Sequence, residues 1–280
     1  MSALSARLTW PWRRPRIALG FSSRMLVALP AEGGATRRAI PPGLLGPSAT
    51  SPNIQSVSEV ARLASETIDE LGGRGATVSM LLPDLAVVSA VLPPGRSSTA
   101  PGIRAELGPR LGFPVSEARS DFWRGEKGEV LAAAVREAVV RQYEQVVEAT
   151  ECRVGWVDSA SLVRIPAWAE ASKSDPGITL LEALLYRDHY VLALFRGGEL
   201  VDLRMRLRSG DDVEAVACEI RRLPAIYGLD ALGTVALSGE GASSVVRLLA
   251  EARMEARSSP EEEDEEKQLE ASLAALRKRS

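Results

Sequence analysis

Apolar and polar positions along this chain alternate in some stretches and recur every three or four residues in others, so strands and helices can be read in order. Ile17 to Leu29 carries two apolar runs around Gly20-Phe21-Ser22-Ser23, which predicts two strands joined by a tight turn at Gly20–Ser23. Pro30 to Asn53 is rich in Gly and Pro and lacks a period, which reads as a loop, partly disordered. Val57, Val60, Ala61, Ala64, Ile68 and Leu71 then recur at helical spacing, with Ser56 or Ser58 as cap and Gly72-Gly73 as the stop. Ala76–Leu82 and Leu85–Leu92, separated by Pro83-Asp84, read as a hairpin. Pro93–Pro101 is irregular, and Ile103–Leu111 reads as a short helix closed by Gly112.

Glu129–Val135 is an apolar strand, Ala138–Ala149 an amphipathic helix with Val139, Tyr143, Val146 and Val147 inward, and Arg153–Val157 another strand. A helical stretch follows that Pro166 interrupts. This alternation predicts an α/β core with some parallel pairing. Further on, Ile178–Tyr186 and Tyr190–Arg196 are apolar strands, and Gly197-Gly198 makes a hairpin turn. Leu200–Arg208 alternates, with Leu203, Met205 and Leu207 on one face and a basic ladder of Arg204, Arg206 and Arg208 on the other. A helix is predicted from about Asp211 to Tyr227, a strand over Leu232–Leu237 and a helix over Ser243–Ala256, capped by Ser243.

The end of the chain differs in kind. Pro260–Glu266 is almost wholly acidic, and Leu269, Leu273 and Leu276 form a narrow apolar stripe before Arg277-Lys278-Arg279. That pattern reads as a frayed, solvated helix, or alternatively as one that docks onto a partner helix.

Composition narrows the function classes. The 280 residues can bury a large core in one or two domains, and a hydrophobic content of 45% fits a globular chain. A formal net charge of -3 gives no global argument for nucleic acid, whose binding usually needs a basic face. Val130–Val135 and Leu180–Leu185 fall well short of a membrane span, and the first residues lack the apolar core of a signal peptide, so a cytoplasmic location is expected. Cys152 and Cys218 have no metal-binding spacing and read as structural thiols. His189, the single histidine, sits inside a strand pattern and is not expected to be catalytic.

Three segments carry a resemblance when taken in order. They are Ala76-Thr77-Val78-Ser79-Met80-Leu81-Leu82-Pro83-Asp84, the strand-helix-strand Val130–Asp158 containing Ala134-Val135-Arg136-Glu137-Ala138-Val139, and Leu200-Val201-Asp202-Leu203-Arg204 after the Gly-Gly turn. Placed between a Gly-x-Ser-Ser hairpin and a strand-Gly-x-Gly-helix, the series resembles the PilM family of type IV pilus assembly, and more loosely FtsA-like and GspL-like proteins, over roughly Arg16–Arg257. The resemblance implies an α/β, actin-like (ribonuclease H-like) two-lobed fold with an inserted small α+β subdomain and a reduced second lobe. The implied boundaries are a first lobe over 10–168 with the insertion at about 54–125, a second lobe over 169–257, and a charged tail over 258–280.

The same resemblance locates a nucleotide cleft, and the sequence departs from it there. The family's first loop reads roughly Asp-Ile-Gly-Ser-Ser-Ser-Val-Lys. Here Ala18 stands at the aspartate and Met25 at the lysine, while Gly20, Ser22 and Ser23 keep the turn. Without a magnesium-ordering carboxylate, phosphoryl transfer loses several kcal/mol of electrostatic stabilisation. The second loop, Leu184–Tyr190, lacks the expected glycine and holds bulky Tyr186, Arg187 and Tyr190; Asp188 reads as a turn residue rather than a substitute ligand. Gly239 and Gly241 keep the adenosine end, although such a turn also occurs for steric reasons. The vestigial cleft residues are therefore Gly20, Ser22, Ser23, Gly239 and Gly241, with no catalytic or metal residue and no resident cofactor expected, ATP being doubtful.

As a family member the chain would be a scaffold under the inner membrane. It would bind the cytoplasmic segment of a PilN-like membrane protein in a groove lined by residues from Val57 to Leu92, contact other pilus platform or motor proteins, and form a homo-oligomeric ring, with no nucleic acid. The alternatives are a nucleotide-binding switch or ATPase and a GspL-like cytoplasmic domain of type II secretion.

Overall fold

The computed structural model describes residues 16–93, 95, 99–174, 177–209, 212–259 and 264–279. Strands β1 (Ile17–Phe21), β2 (Met25–Pro30) and β3 (Thr36–Ala39) form an antiparallel meander. Helix α1 (Val57–Glu70) follows, capped by Ser56, whose hydroxyl accepts from the Glu59 N–H, and it buries Val60, Ala64 and Ile68. It carries the chain across to β4 (Thr77–Leu82), which lies parallel to β1, the usual crossover arrangement. Next come β5 (Val88–Leu92), α2 (Ala100–Leu107), β6 (Ala118–Arg124) and β7 (Val130–Arg136), then α3 (Glu137–Glu148), β8 (Arg153–Ser159) and α4 (Ile165–Ser172). The first sheet has the order β3-β2-β1-β4-β8, and β5-β7-β6 form a separate three-stranded sheet.

The second lobe repeats the plan of the first. A meander of β9 (Thr179–Leu185), β10 (His189–Arg196) and β11 (Glu199–Leu207) leads through α5 (Val213–Tyr227) to β12 (Thr234–Gly239), parallel to β9, and through α6 (Ala242–Glu251) to β13 (Ala256–Ser258). The order β11-β10-β9-β12-β13 matches that of the first sheet position for position. Among the described residues, α5 is the only helix between the meander and β12. The chain ends in α7 (Glu265–Arg279). One apolar core runs from the first lobe into the β9–β10 face of the second, and another lies between the second sheet, α5 and α6.

Several sequence expectations change. Residues 76–92 do not form a hairpin, because β4 and β5 belong to different sheets. The physical reason is visible in β4: Val78, Ser79, Met80, Leu81 and Leu82 are all buried, so both faces are covered and β1 and β8 flank it. The segment Pro30–Asn53 is ordered. It contains β3, a bridge between Leu45 and Ile54, and buried Ile40 and Leu44. Asn53, wholly buried, donates to the carbonyls of Ser48 and Ser51 and accepts from the Tyr143 hydroxyl at 3.0 Å. Pro166 opens α4 from its first turn instead of interrupting a helix. The helix predicted to reach Ala256 stops at Glu251, and Ala256 begins an edge strand. α5 is capped by Asp212, whose carboxylate accepts from the Ala215 N–H, while Asp211 lies outside the described residues. The sequence also missed β6 altogether. The three-stranded unit spans Val88–Arg136, later than the expected insertion, and α1 packs with α3 on the first lobe.

The largest correction concerns the tail. Pro260 to Glu263 fall outside the described residues, but α7 is neither frayed nor free for a partner helix. Leu269, Leu273 and Leu276 are buried against Ala18, Val27, Leu81, Ala160 and Val163 of the chain's own first lobe. At the rim, Arg37 pairs with Glu266 and Glu270, and Arg277 donates to the Pro30 carbonyl at 2.7 Å.

Candidate functional site

The ends of β1, β4, β9 and β12 converge on one cleft, with the start of α7 laid across it. The β1–β2 turn is organised by Ser22. Its hydroxyl accepts from the Met25 and Arg24 N–H groups at 3.0 and 3.3 Å, and its own N–H donates to the Met25 carbonyl. Gly20, one turn-residue earlier, faces Leu269; a Cβ there would sit 2.7 Å from Leu269 Cδ1. Ala18, at the expected magnesium-carboxylate position, is buried under the same helix.

The β12–α6 turn presents Gly239 and Gly241 at φ +104° and +83°. A Cβ on Gly239 would lie 2.0 Å from the Leu185 carbonyl oxygen and 2.1 Å from Gln268 Nε2, so the glycine expected at the adenosine end also abuts α7. Gly241 is itself the N-cap of α6, which has no capping side chain; Ser243 is not the cap. Gly241 lies instead against Val213, outside the centre of the cleft. Of the five sequence-predicted residues, Gly20, Ser22, Ser23 and Gly239 thus border the cleft, with α7 filling the gap between Gly20 and Gly239.

Four residues that the sequence reading set aside or missed make up the cleft floor. Asp84, at the end of β4, is buried; its Oδ1 accepts from Ser159 Oγ and from Ser161 N and Oγ at 2.8 and 2.9 Å. His189 opens β10, with Nδ1 2.6 Å from Asp188 Oδ1 and Nε2 3.8 Å from Asp84 Oδ2, an ion-pair rather than hydrogen-bond separation. Tyr186 stacks on the imidazole with centroids 4.3 Å apart and planes 8° apart. Glu265 enters from the first turn of α7. Asp188 does occupy the β9–β10 turn, as predicted, but it also holds the histidine. The signal that could have found this group was the single histidine of the chain, next to an acidic residue, in the segment matched to a phosphate loop.

The electrostatics follow from that crowding. Burial pulls the His189 pKa down, but hydrogen bonding to Asp188 and the Asp84 carboxylate outweigh it and push it up to about 9. Burial pushes Asp84 up, and His189, Ser159 and Ser161 together hold it below its ordinary value. Asp188 is lowered chiefly by His189. Burial raises Tyr186 well above the usual phenol range, with Asp84 adding to it. Burial also raises Glu265, against the pull of a hydrogen bond with Ser22. Between these groups about 20 Å³ remains in which a water centre can sit, room for roughly one water molecule. Ligand pockets run to roughly 300 Å³ or more. No group of three or more His, Cys, Asp or Glu side chains among the described residues could hold a metal ion.

The basic ladder on β11 does not form a free cationic face. Arg204 pairs with Asp202 at 2.5 Å and with Glu219 at 3.3 Å, Arg206 lies 3.8 Å from Glu219, and Arg208 is buried and donates to the Glu240 carbonyl. Leu207, expected on the apolar face, is 76% exposed.

No protein-family model matches the chain, and no curated protein matches it. Solved structures do. A PilM–PilN type IV pilus biogenesis complex superposes with a TM-score of 0.73 at 18% identity, covering 96% of this chain and 99% of that one. A Bacteroides thetaiotaomicron protein of actin-like ATPase fold and unknown function gives 0.65 at 10% identity, covering 94% and 95%. The cytoplasmic domain of EpsL, an inner-membrane component of the Vibrio cholerae type II secretion system, gives 0.52 at 12% identity, covering 93% and 94%. At these identities the likeness is one of architecture, and with the duplicated five-stranded sheets it establishes that the chain has the actin-like ATPase fold.

Proposed function

We infer that this chain is a cytoplasmic scaffold of a type IV pilus, or related secretion, inner-membrane platform. In this reading it binds the cytoplasmic segment of a PilN-like membrane protein and does not hydrolyse ATP. The observation that carries the reading is the end-to-end structural match to a PilM–PilN complex. No helix among the described residues is long and apolar enough to cross a membrane; in this reading attachment to the inner membrane goes through the PilN-like partner.

Loss of hydrolysis is supported by the cleft itself. Ala18 replaces the metal-ordering carboxylate, and Leu269 and Gln268 lie against the two glycines. Asp84, Asp188 and Glu265 surround a single imidazole, so a triphosphate would meet carboxylates where it needs cations.

Two measurements test the reading. The purified chain should bind a synthetic peptide of the cytoplasmic segment of the PilN-type protein from the same operon at micromolar concentration; absence of a complex sinks the scaffold assignment. Titration calorimetry with Mg·ATP, and ADP as control, should give no saturable heat at millimolar nucleotide. Saturable heat that disappears in Gly239→Arg would make the protein a nucleotide switch instead.

A further inference from the structure

Asp84 belongs to the first lobe and His189 to the second, and they meet at the cleft floor. One oxygen of Asp84 is fully engaged by Ser159 and Ser161. The other, Oδ2, is buried with no hydrogen-bond partner, and so is His189 Nε2, 3.8 Å away. On its other side the imidazole meets Asp188 through Nδ1 at 2.6 Å. Each ring nitrogen therefore faces a carboxylate oxygen. A neutral imidazole has one N–H and one lone pair, so it would turn a lone pair on one of the two carboxylates. Only the doubly protonated ring presents an N–H to both carboxylates, hydrogen-bonded to Asp188 and ion-paired with Asp84, and the stacked Tyr186 ring fixes its plane. We propose that Asp84, His189 and Asp188 form an ionic latch across the cleft, in which an imidazolium clamped between two carboxylates ties the end of β4 to the β9–β10 turn. This rests on the geometry of the floor alone and stands or falls separately from the partner assigned above.

The neighbours of the latch fit a cation at its centre. Glu265 of α7 faces it from above, and the Tyr186 hydroxyl lies buried beside Asp84. Arg24 of the β1–β2 turn faces Asp188 and Glu265, and Arg164, before α4, faces Tyr186. The imidazolium is the centre of the latch, so its deprotonation is the change that opens the latch on the alkaline side.

Because the chain has one histidine, its imidazole proton resonances report the latch without assignment. In the wild-type full-length chain they should titrate with a midpoint near 9; a midpoint near the ordinary value of about 6.5 overturns the proposal. Hydrogen exchange at neutral pH then tests the coupling. In Asp84→Asn and in His189→Asn, amides of Asp84–Val87 and Tyr186–Tyr190 should exchange at least about tenfold faster, on both sides of the cleft, while those of β3 and α5 keep their rates. Unchanged rates, or an increase spread evenly over the chain, would count against a latch. If either substitution prevents folding, Asp188→Asn, at a partly exposed position, should move the histidine midpoint down; no movement overturns the proposal.

Discussion

At the scale of single residues, Gly239 and Gly20 separate two reasons for keeping a glycine. In a nucleotide protein such glycines admit a ligand, and an alanine there would leave the empty protein stable. Here the space is already taken by the chain. At Gly239 the backbone is left-handed at φ +104°, and the clashing atom is the Leu185 carbonyl oxygen, held in place by a hydrogen bond from Glu240 N–H. Neither can yield cheaply, since such a conformation alone costs roughly 1–3 kcal/mol for a residue with a side chain. At Gly20 the obstacle is the end of the Leu269 side chain, which can change rotamer. Gly239→Ala should therefore lower the thermal unfolding midpoint of the ligand-free protein by several degrees, and more than Gly20→Ala does. Equal midpoints for Gly239→Ala and wild type would restore the ligand explanation. Both glycines were legible in the sequence as special positions. What was not legible was their occupant, because Leu269 and Gln268 arrive from the far end of the chain.

At the scale of elements, α7 shows how a helix can be written in a sequence and its docking site overlooked. Its stripe of Leu269, Leu273 and Leu276 is too narrow to predict burial by itself, and a lone helix of this length is marginal in water. The informative signal lay in the receiving strands. Ile17–Phe21 is buried at every position, as is most of β4, so the first sheet needs cover on both faces. α1 and α3 pack on one side, and α7 supplies the other. The hairpin expected at 76–92 failed for the same reason: an all-buried strand is central, and cannot be half of a two-stranded ribbon. Elements read from a clean helical period, such as α1, α3 and α5, stand within a few residues of their predicted bounds. If α7 is part of the core, Leu273→Ala should cost about 2–5 kcal/mol in urea unfolding, as expected for a buried leucine. Lys267→Ala, on the exposed face, should stay within about 0.5 kcal/mol. A Leu273→Ala protein as stable as wild type would mean that the helix does not dock in solution.

At the scale of the whole molecule, two copies of one sheet plan share a continuous core, and the single histidine lies where their strand ends meet. That position ties global stability to pH. The folded pKa of His189, about 9, lies above the ordinary value of 6.5 that the unfolded chain would show. The folded state therefore binds the proton more tightly, and the resulting stability is fully present below pH 6.5 and lost as pH rises through 9. The size of the change follows from the shift, on the order of 3 kcal/mol between those limits. Asp84 and Asp188 act in the opposite direction: their lowered values contribute stability above the ordinary carboxylate range that is lost in acid. These are the two faces of one interaction and do not add. A plateau should thus run from the upper end of the carboxylate range to pH 6.5, with a decline on the alkaline side as pH rises through 9. Urea midpoints recorded between pH 6 and 9.5 should fall in wild type and stay level in His189→Asn. The variant need not be less stable at every pH, because removing a buried ion pair together with its desolvation can leave net stability little changed. The slope against pH, and not the value at neutrality, is what identifies the imidazolium as the group that couples the lobes, and parallel slopes in the two proteins would assign the alkaline loss elsewhere.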